Sequence, residues 1–329
     1  MLSQKDKHLL STMFSMEDKT LYKFLYMCLK KHYKEEDIIL NADYIIAKGT
    51  LPVGLLAHMD TVFAKKTSSK SVYYDSEKGV MWSPDGLGAD DRAGIFIILK
   101  LLASLKQKPT IIFTLGEEKG GIGASVVIKD YPTNFLNLRF LIELDRQGKE
   151  DSVYYDCGNG DFEEYINKFG FVTDWGTFTD ISVIAPVWDI AAVNLSVGYF
   201  SEHTKTETLI IPYLFATMEK VKKILNNLPD ENIMFPHMTK KWYETYSYAF
   251  ETKDFNVICK TCNKVAPADL TIPYITKEGH YAYICPDCFE KFYSEFNWCG
   301  FCGEAFEPSA SEDVFCPNCK KKIIVKESD

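Results

Sequence analysis

No stretch of the 329 residues approaches the roughly 18 uninterrupted apolar residues of a membrane-spanning helix. The N-terminus, MLSQKDKHLLSTMF, lacks the apolar region and cleavage site of a secretory signal, so the chain is expected in the cytoplasm. Internal repeats and low-complexity tracts are also missing, which excludes solenoids and biased linkers. Positive charge is not in excess: the formal net charge is −9, which argues against a general nucleic-acid binder. Histidine is scarce, with six in the chain. The remainder has the composition of an ordinary globular protein, 46% hydrophobic and 25% charged, long enough for one large domain and a small one.

Cysteine is absent from most of the chain and concentrated at its end. Eight of the ten lie between Cys259 and Cys319, in four Cys-x-x-Cys pairs. In a reducing compartment that pattern reads as metal binding rather than disulfides. Cys28 and Cys157 stand alone and are expected to be small buried hydrophobes.

Residues 4–35 have helical apolar spacing, and strand-like runs follow at Asp43–Ala47 and Val53–Ala57. A hairpin is expected to turn near Ser76–Gly79. DDRAGIFIILKLLASLKQ has acids first, an apolar body and lysines late, the order of a helix. Strands recur at Thr110–Leu115 and Phe140–Leu144 after helical or loop segments. This alternation predicts an α/β layered fold, a three-layer domain with a central mixed sheet flanked by helices. An amphipathic helix ending before Pro229 closes a first domain, 1–229. An aromatic-rich linker or docking segment spans 230–256, and a small cysteine-rich domain 257–329.

Polar clusters sit at the ends of the apolar runs. GLLAHMDTV ends in His58 and Asp60, GLGADDRAG places Asp90 and Asp91 before a helix, and TLGEEKGG brings Glu117 and Glu118. FLIELDRQG ends in Asp145 and VGYFSEHTKTE carries His203. Strand carboxyl ends are where open α/β sheets build sites. Each cluster alone has a structural explanation, such as helix capping for paired acids. All five together do not, and imidazole with carboxylate suits zinc and similar divalent ions.

AHMDTV, GLGADDRAG, GEEKGGIGA, IELDRQG and YFSEHT, in this order, resemble the co-catalytic di-zinc peptidases of the M20 and M28 type over roughly residues 40–225. The resemblance implies that His58 binds one metal and His203 the other. Asp90 bridges both, Glu118 and Asp145 complete the ligand sets, and Glu117 is the general base. Asp60 would accept a hydrogen bond from the His58 imidazole and fix its tautomer. Two ions sharing a carboxylate would activate a water that attacks an amide carbonyl, with Glu117 moving the proton. A cis peptide bond is implied between Asp90 and Asp91. Only 58 positions separate Asp145 from His203, which leaves no room for the inserted lid domain of M20 enzymes and suggests the single-domain M28 type. Tyr199 is a candidate donor to the oxyanion, and Asp180, in the GTFTDISVIAP loop, is read as structural.

The tail spacings suit two four-cysteine zinc sites of zinc-ribbon or treble-clef type. Sequential pairing puts Cys259, Cys262, Cys285 and Cys288 in one, and Cys299, Cys302, Cys316 and Cys319 in the other. From Val257 to Asp329 there are eight lysines, no arginines and eleven acids, a poor balance for phosphate. A role in protein docking, substrate gating or stabilisation fits better.

The expectation is a di-zinc exopeptidase, an aminopeptidase or dipeptidase acting on a small peptide, with two catalytic ions (zinc, cobalt or manganese) and two structural zincs. One rival is an amidohydrolase that deacylates N-acyl amino acids at the same centre. The other is a zinc-ribbon adaptor whose peptidase-like domain does not catalyse.

Overall fold

Short, almost wholly apolar runs build the centre of this fold. Such runs suit strands covered on both faces, where alternation with polar residues is not needed. The computed structural model describes residues 2–63, 70–230, 233, 235–237, 256–267, 272–275, 281–285, 287–288, 291, 297–298, 305–306, 314–315 and 322–323. The chain divides into two compact units, Met1–Thr239 and Lys240–Asp329.

The first unit begins with helices α1 (Gln4–Ser15) and α2 (Asp18–Leu29), then strands β1 (Ile38–Leu40), β2 (Tyr44–Ala47) and β3 (Val53–His58). A hairpin follows, β4 (Tyr73–Asp75) and β5 (Val80–Trp82), and then α3 (Ala89–Ser104), β6 (Thr110–Thr114), α4 (Ile122–Asp130) and β7 (Phe140–Arg146). The unit continues through β8 (Asp151–Val153), α5 (Gly160–Asn167), β9 (Val172–Asp174), α6 (Asp180–Trp188) and β10 (Ala191–Ser196). It closes with β11 (Tyr199–Phe200), β12 (Thr208–Ile210) and α7 (Ile211–Asn226).

Eight strands form one sheet in the order β1-β2-β6-β3-β7-β10-β8-β9. The four in the middle, β6, β3, β7 and β10, run parallel. Antiparallel β2 borders β6, and antiparallel β8 borders β10. Apolar layers cover both faces. Ile45 and Ala47 of β2 join the layer that contains Leu10, Leu21, Phe96 and Leu214 of α1, α2, α3 and α7. Tyr44 and Ile46 join the other, with Val127 of α4 and Ile184 of α6. This is the expected α/β arrangement with a central mixed sheet flanked by helices. A smaller sheet, β11-β12-β5-β4, lies outside it.

Two expectations differ from the structure. The helical pattern over 4–35 is two helices, broken at Met16–Glu17. The cause is tertiary: the buried Arg92 guanidinium donates to the carbonyls of Met13 and Met16, each at 2.7 Å, and to Asp18 Oδ1 at 3.0 Å. The loop expected over Gly176–Pro186 turns helical at Asp180, where the Ser182 hydroxyl bonds back to the Thr179 backbone. At the far end, Arg139 donates to the carbonyls of Pro229, Asp230 and Ile233, and the Phe235 ring is buried among Phe140, Phe162 and Tyr165. Residues just beyond 229 therefore pack on the first unit.

In the second unit, β13 (Asn256–Ile258) pairs with β14 (Val265–Pro267). A four-stranded sheet joins β15 (Ile272–Ile275), β16 (Tyr281–Ile284), β17 (Asn297–Trp298) and β18 (Ala305–Phe306). β19 (Val314–Phe315) pairs with β20 (Lys322–Ile323). Its core among the described residues is Cys259, Tyr274, Ile284 and Cys285.

Helix α3 lies so close to β7 that a Cβ on Gly94 would stand 1.9 Å from the Leu144 carbonyl oxygen and 2.5 Å from Asp91 Oδ1. Gly94→Ala is expected to lower unfolding stability by about 1–3 kcal/mol, read by chemical denaturation, because neither backbone can yield cheaply. Gly160→Ala is the control. Nothing lies within 4 Å of its Cβ position, so stability should hold or rise. Equal stabilities for the two variants would contradict the close helix–strand approach.

Candidate metal centre

The carboxyl ends of the four parallel strands open on one edge of the sheet, and the polar clusters converge there. His58 is the last residue of β3 and pairs in register with Thr114 of β6. Leu56 pairs with Glu143, two residues before His58 and Asp145 respectively. The turn Glu117–Lys119 follows β6, and Gly116, at φ 81°, provides the left-handed residue that starts it. Asp90 enters from the start of α3 with non-helical torsions (φ −77°, ψ 110°), and its peptide bond to Asp91 is cis. His203 comes from the loop between β11 and β12.

Asp90 stands between the two imidazoles. Its Oδ1 is 3.0 Å from His58 Nε2 and its Oδ2 is 3.1 Å from His203 Nε2. Glu118 Oε2 is 2.9 Å from His203 Nε2, and Asp145 Oδ1 is 3.5 Å from His58 Nε2. Glu117 Oε2 stands further off, 4.0 Å from His58 Nε2. Two donor sets thus share Asp90: His58 with Asp145, and His203 with Glu118. Single ligand atoms of His58, Asp90 and Glu118 lie within 4.8 Å of one another.

The surroundings hold these groups in place. The shorter contact of His58 Nδ1 is with the Asp60 backbone carbonyl at 3.0 Å, and the Asp60 carboxylate is 3.5 Å away. The carbonyl is the nearer acceptor, with the expected carboxylate beside it. Asp60 Oδ1 accepts from the Gly116 and Glu117 N–H groups at 2.7 and 3.3 Å and so anchors the turn carrying Glu117. Tyr199, a candidate for the oxyanion, is buried and donates to Asp145 instead, 3.1 Å from its carbonyl and 3.2 Å from Oδ1. Asp180 is buried, accepts from the Thr114 hydroxyl, and leaves Oδ1 without a partner.

Several further groups support the centre. Asp91 is fully buried and accepts from the N–H groups of His58 and Gly94 at 3.2 and 3.1 Å. Asn194 clasps the Asp145 backbone from both sides, and the Thr179 hydroxyl donates to Asp145 Oδ2 at 3.3 Å. Glu207 is fully buried against the N–H groups of Gly88, Ala89 and Asp90. Asp91 is the neighbour of a recognised acid, but Glu207 and Asn194 have no sequence spacing that connects them to the site.

Electrostatically the centre is overloaded with negative charge. Burial drives the Asp145 and Asp91 carboxyls well above the usual carboxylate range, with neighbouring acids adding to the effect. Burial, with Asp180, Asp90 and Glu118 adding, pushes Glu117 up to about 7 against the opposing pull of His58. For Asp90 burial also opposes ionisation, but the hydrogen bonds to His203 and His58 outweigh it and hold the carboxyl below its usual range. Those to Asp90 and Glu118 lift His203 to about 11. Glu118 Oε1 is buried without a partner. Oxygen and imidazole donors, surplus negative charge and an unpartnered oxygen are the surroundings a divalent cation neutralises, so these residues fit a metal centre.

The sequence profile of peptidase family M20/M25/M40 matches residues 54–261. The chain belongs to this family. The M20 match spans every residue of the centre and ends just inside the cysteine-rich unit. No match was found among curated proteins. The fold is similar to that of aminopeptidase PepT from Bacillus cereus, at 16% identity, a TM-score of 0.52, and coverage of 66% of this chain and 96% of that one. A tripeptidase from Staphylococcus aureus gives 15% identity, a TM-score of 0.52, and 66% and 95% coverage. A TET aminopeptidase from a marine-sediment Thaumarchaeota archaeon gives 11%, 0.54, and 70% and 98%. In this M20 chain the interval from Asp145 to His203 is filled by β8, α5, β9, α6, β10 and β11, all within the first unit.

In the second unit the sulfurs of Cys259, Cys262, Cys285 and Cys288 lie within 4.8 Å of one another. The Cys285 N–H donates to Cys259 Sγ at 3.3 Å, and Cys262 Sγ is 3.7 Å from Cys285 Sγ. Desolvation opposes the Cys259 thiolate, but backbone N–H groups outweigh it and bring the thiol down to about 6. Burial and the neighbouring cysteines push Cys288 up to about 12. Four thiols this close do not all ionise without a cation. Cys299, Cys302, Cys316 and Cys319 lie outside the described residues. Of the isolated cysteines, Cys157 is in the core and Cys28 is half-buried.

Asp90→Ala removes the oxygens that face both imidazoles. It is expected to cost at least one bound ion per chain relative to the parent protein, read by metal analysis after dialysis against zinc. Unchanged metal content would show that Asp90 is not the shared ligand.

Proposed function

We propose that this chain is a two-metal exopeptidase, an aminopeptidase or dipeptidase, that hydrolyses the peptide bond of a small peptide. The observation that carries this is Asp90, with one carboxylate oxygen about as far from His58 as the other is from His203. A single carboxylate spanning two imidazoles is the arrangement of a pair of ions rather than one. The family match and the peptidase folds at low identity support the same reaction.

His58, Asp90 and Asp145 would hold one ion, and His203, Asp90 and Glu118 the other. When bound, the pair supplies the positive charge that polarises an amide carbonyl and acidifies water; zinc, cobalt and manganese all suit the donors. The residues do the rest. Glu117 is set apart from the ligand set, and burial raises it towards neutrality. It takes a proton from the attacking water and returns it to the leaving amine. Asp60 holds the Glu117 backbone, and Tyr199, Thr179 and Asn194 hold Asp145. The interval after Asp145 forms part of the sheet instead of an inserted lid, so substrate reaches the centre without a second domain closing over it, as in the M28 type. In the second unit, Cys259, Cys262, Cys285 and Cys288 form a structural zinc site, and the remaining cysteine pairs form a second.

Glu117→Gln is expected to keep both catalytic ions and lose about a hundred- to ten-thousand-fold in kcat on aminoacyl and dipeptide substrates. An emptied centre would instead mean that Glu117 is a ligand and Glu118 the base. Full activity on N-acyl amino acids with none on peptides would replace the exopeptidase with a deacylase. Activity on neither class would leave a binding module.

The whole protein is expected to carry about four zinc ions. Two should leave to a mild chelator with activity, and two only as the cysteine-rich unit unfolds. Two or fewer after reconstitution with excess zinc would contradict the separate thiolate sites.

A further inference from the structure

The loop that carries His203 runs from Ser201 to Glu207, between β11 and β12. Its polar contacts are largely its own. Thr204 Oγ1 donates to the Ser201 carbonyl at 2.7 Å, and the Glu207 N–H donates to the Thr204 carbonyl at 3.1 Å. Ser201 and His203 both have left-handed backbone, at φ 57° and 61°. The His203 side chain is 52% exposed. A histidine on such a loop has no strand pairing of its own to set its distance from Asp90. His58 and Asp145, by contrast, are held by the paired strands β3 and β7.

Glu207 ends the loop and is the exception to its exposure. Residues 203–206 are exposed, and Glu207 is fully buried. Its Oε2 accepts from the Gly88 N–H at 2.6 Å, and its Oε1 accepts from Ala89 and Asp90 at 2.9 and 3.0 Å. These amides precede the regular part of α3, where Asp90 and Asp91 leave helical torsions, so no intrahelical acceptor serves them. The main chain of Glu207 therefore belongs to the His203 loop, while its carboxylate grips the backbone of Asp90 itself.

Resting on the two-ion centre above, we infer that Glu207 is a positioning residue that sets the separation of His203 from Asp90, and with it the affinity of the ion held by His203, Asp90 and Glu118. The ion held by His58, Asp90 and Asp145 depends on it far less. His58 and Asp145 stand on adjacent strands, and Asp91 ties the His58 backbone to α3. Simple capping of α3 would show only as lost stability. A pure charge effect would weaken both ions alike.

Full-length Glu207→Gln, Glu207→Asp and His203→Ala are compared with the parent protein. Each is first shown to be folded in its apo form by circular dichroism, then titrated stepwise with zinc against a chromophoric chelator. The glutamine replaces an acceptor with an N–H2 group facing backbone N–H, and the aspartate keeps the charge but loses the reach. His203→Ala marks which binding step belongs to His203. Both Glu207 variants should raise the Kd of that step by about 10- to 100-fold and move the other by no more than about threefold. Equal weakening of both steps would overturn the inference. So would a lowered unfolding midpoint with both affinities intact, or an aspartate variant that binds like the parent. Peptide hydrolysis by the parent protein is measured alongside. Its absence with the selective metal loss intact would sink the exopeptidase reading and leave this one standing.

Discussion

Negative charge, gathered out of water around two imidazoles, is the constraint on which this structure turns. Asp90, Glu117, Glu118 and Asp145 meet at one edge of the sheet, with Asp60, Asp91, Glu143 and Asp180 buried close behind. Isolated carboxylates cannot be buried in number, because each loses hydration worth several kcal/mol. Burial and neighbouring acids raise the carboxyls of Asp145, Asp91 and Glu117, so their ionised forms are disfavoured without a nearby cation. A divalent cation held among these donors would offset that charge, which is why the residues fit a metal centre.

The scaffold meets that constraint mostly through backbone. Asp60 is held by the amides of Gly116 and Glu117, Asp91 by those of His58 and Gly94, and Glu207 by three at the start of α3. Each of these three carboxylates thus fixes a segment that carries a residue of the candidate centre. Hydrogen bonds from amides to ionised oxygens are among the stronger kind, and they give the ligands fixed positions without adding side chains to the crowded edge. Gly94 lets α3 approach β7 closely enough for this to work. Arg92, two residues after Asp90, draws the N-terminal helices onto the same place, so the outer helices are tied mechanically to the centre.

The cysteine-rich unit is built on different terms. Its described core is Cys259, Tyr274, Ile284 and Cys285. In the first unit the sheet brings the candidate ligands together. In the second, four clustered thiols stand where a bound cation would couple metal binding to folding.

The sequence by itself determined the α/β class, the main strands and the polar clusters that converge at the candidate centre. Apolar runs mark the strands, and chemically unusual residues at their ends mark the site; both are local signals. It also located His203, although that residue lies on an irregular loop. Tertiary structure decided what depended on distant partners. Arg92 divides the helical pattern over 4–35 into two helices by binding carbonyls 76 and 79 positions away. Tyr199 donates to Asp145, and the Asp60 carboxylate anchors the Glu117 turn as well as facing the His58 ring. Glu207 showed no motif, because its partners are amides, 117 to 119 positions earlier, that carry no side-chain signature. A residue whose task is to bind backbone is invisible in a sequence and becomes legible only when the chain has folded it into place.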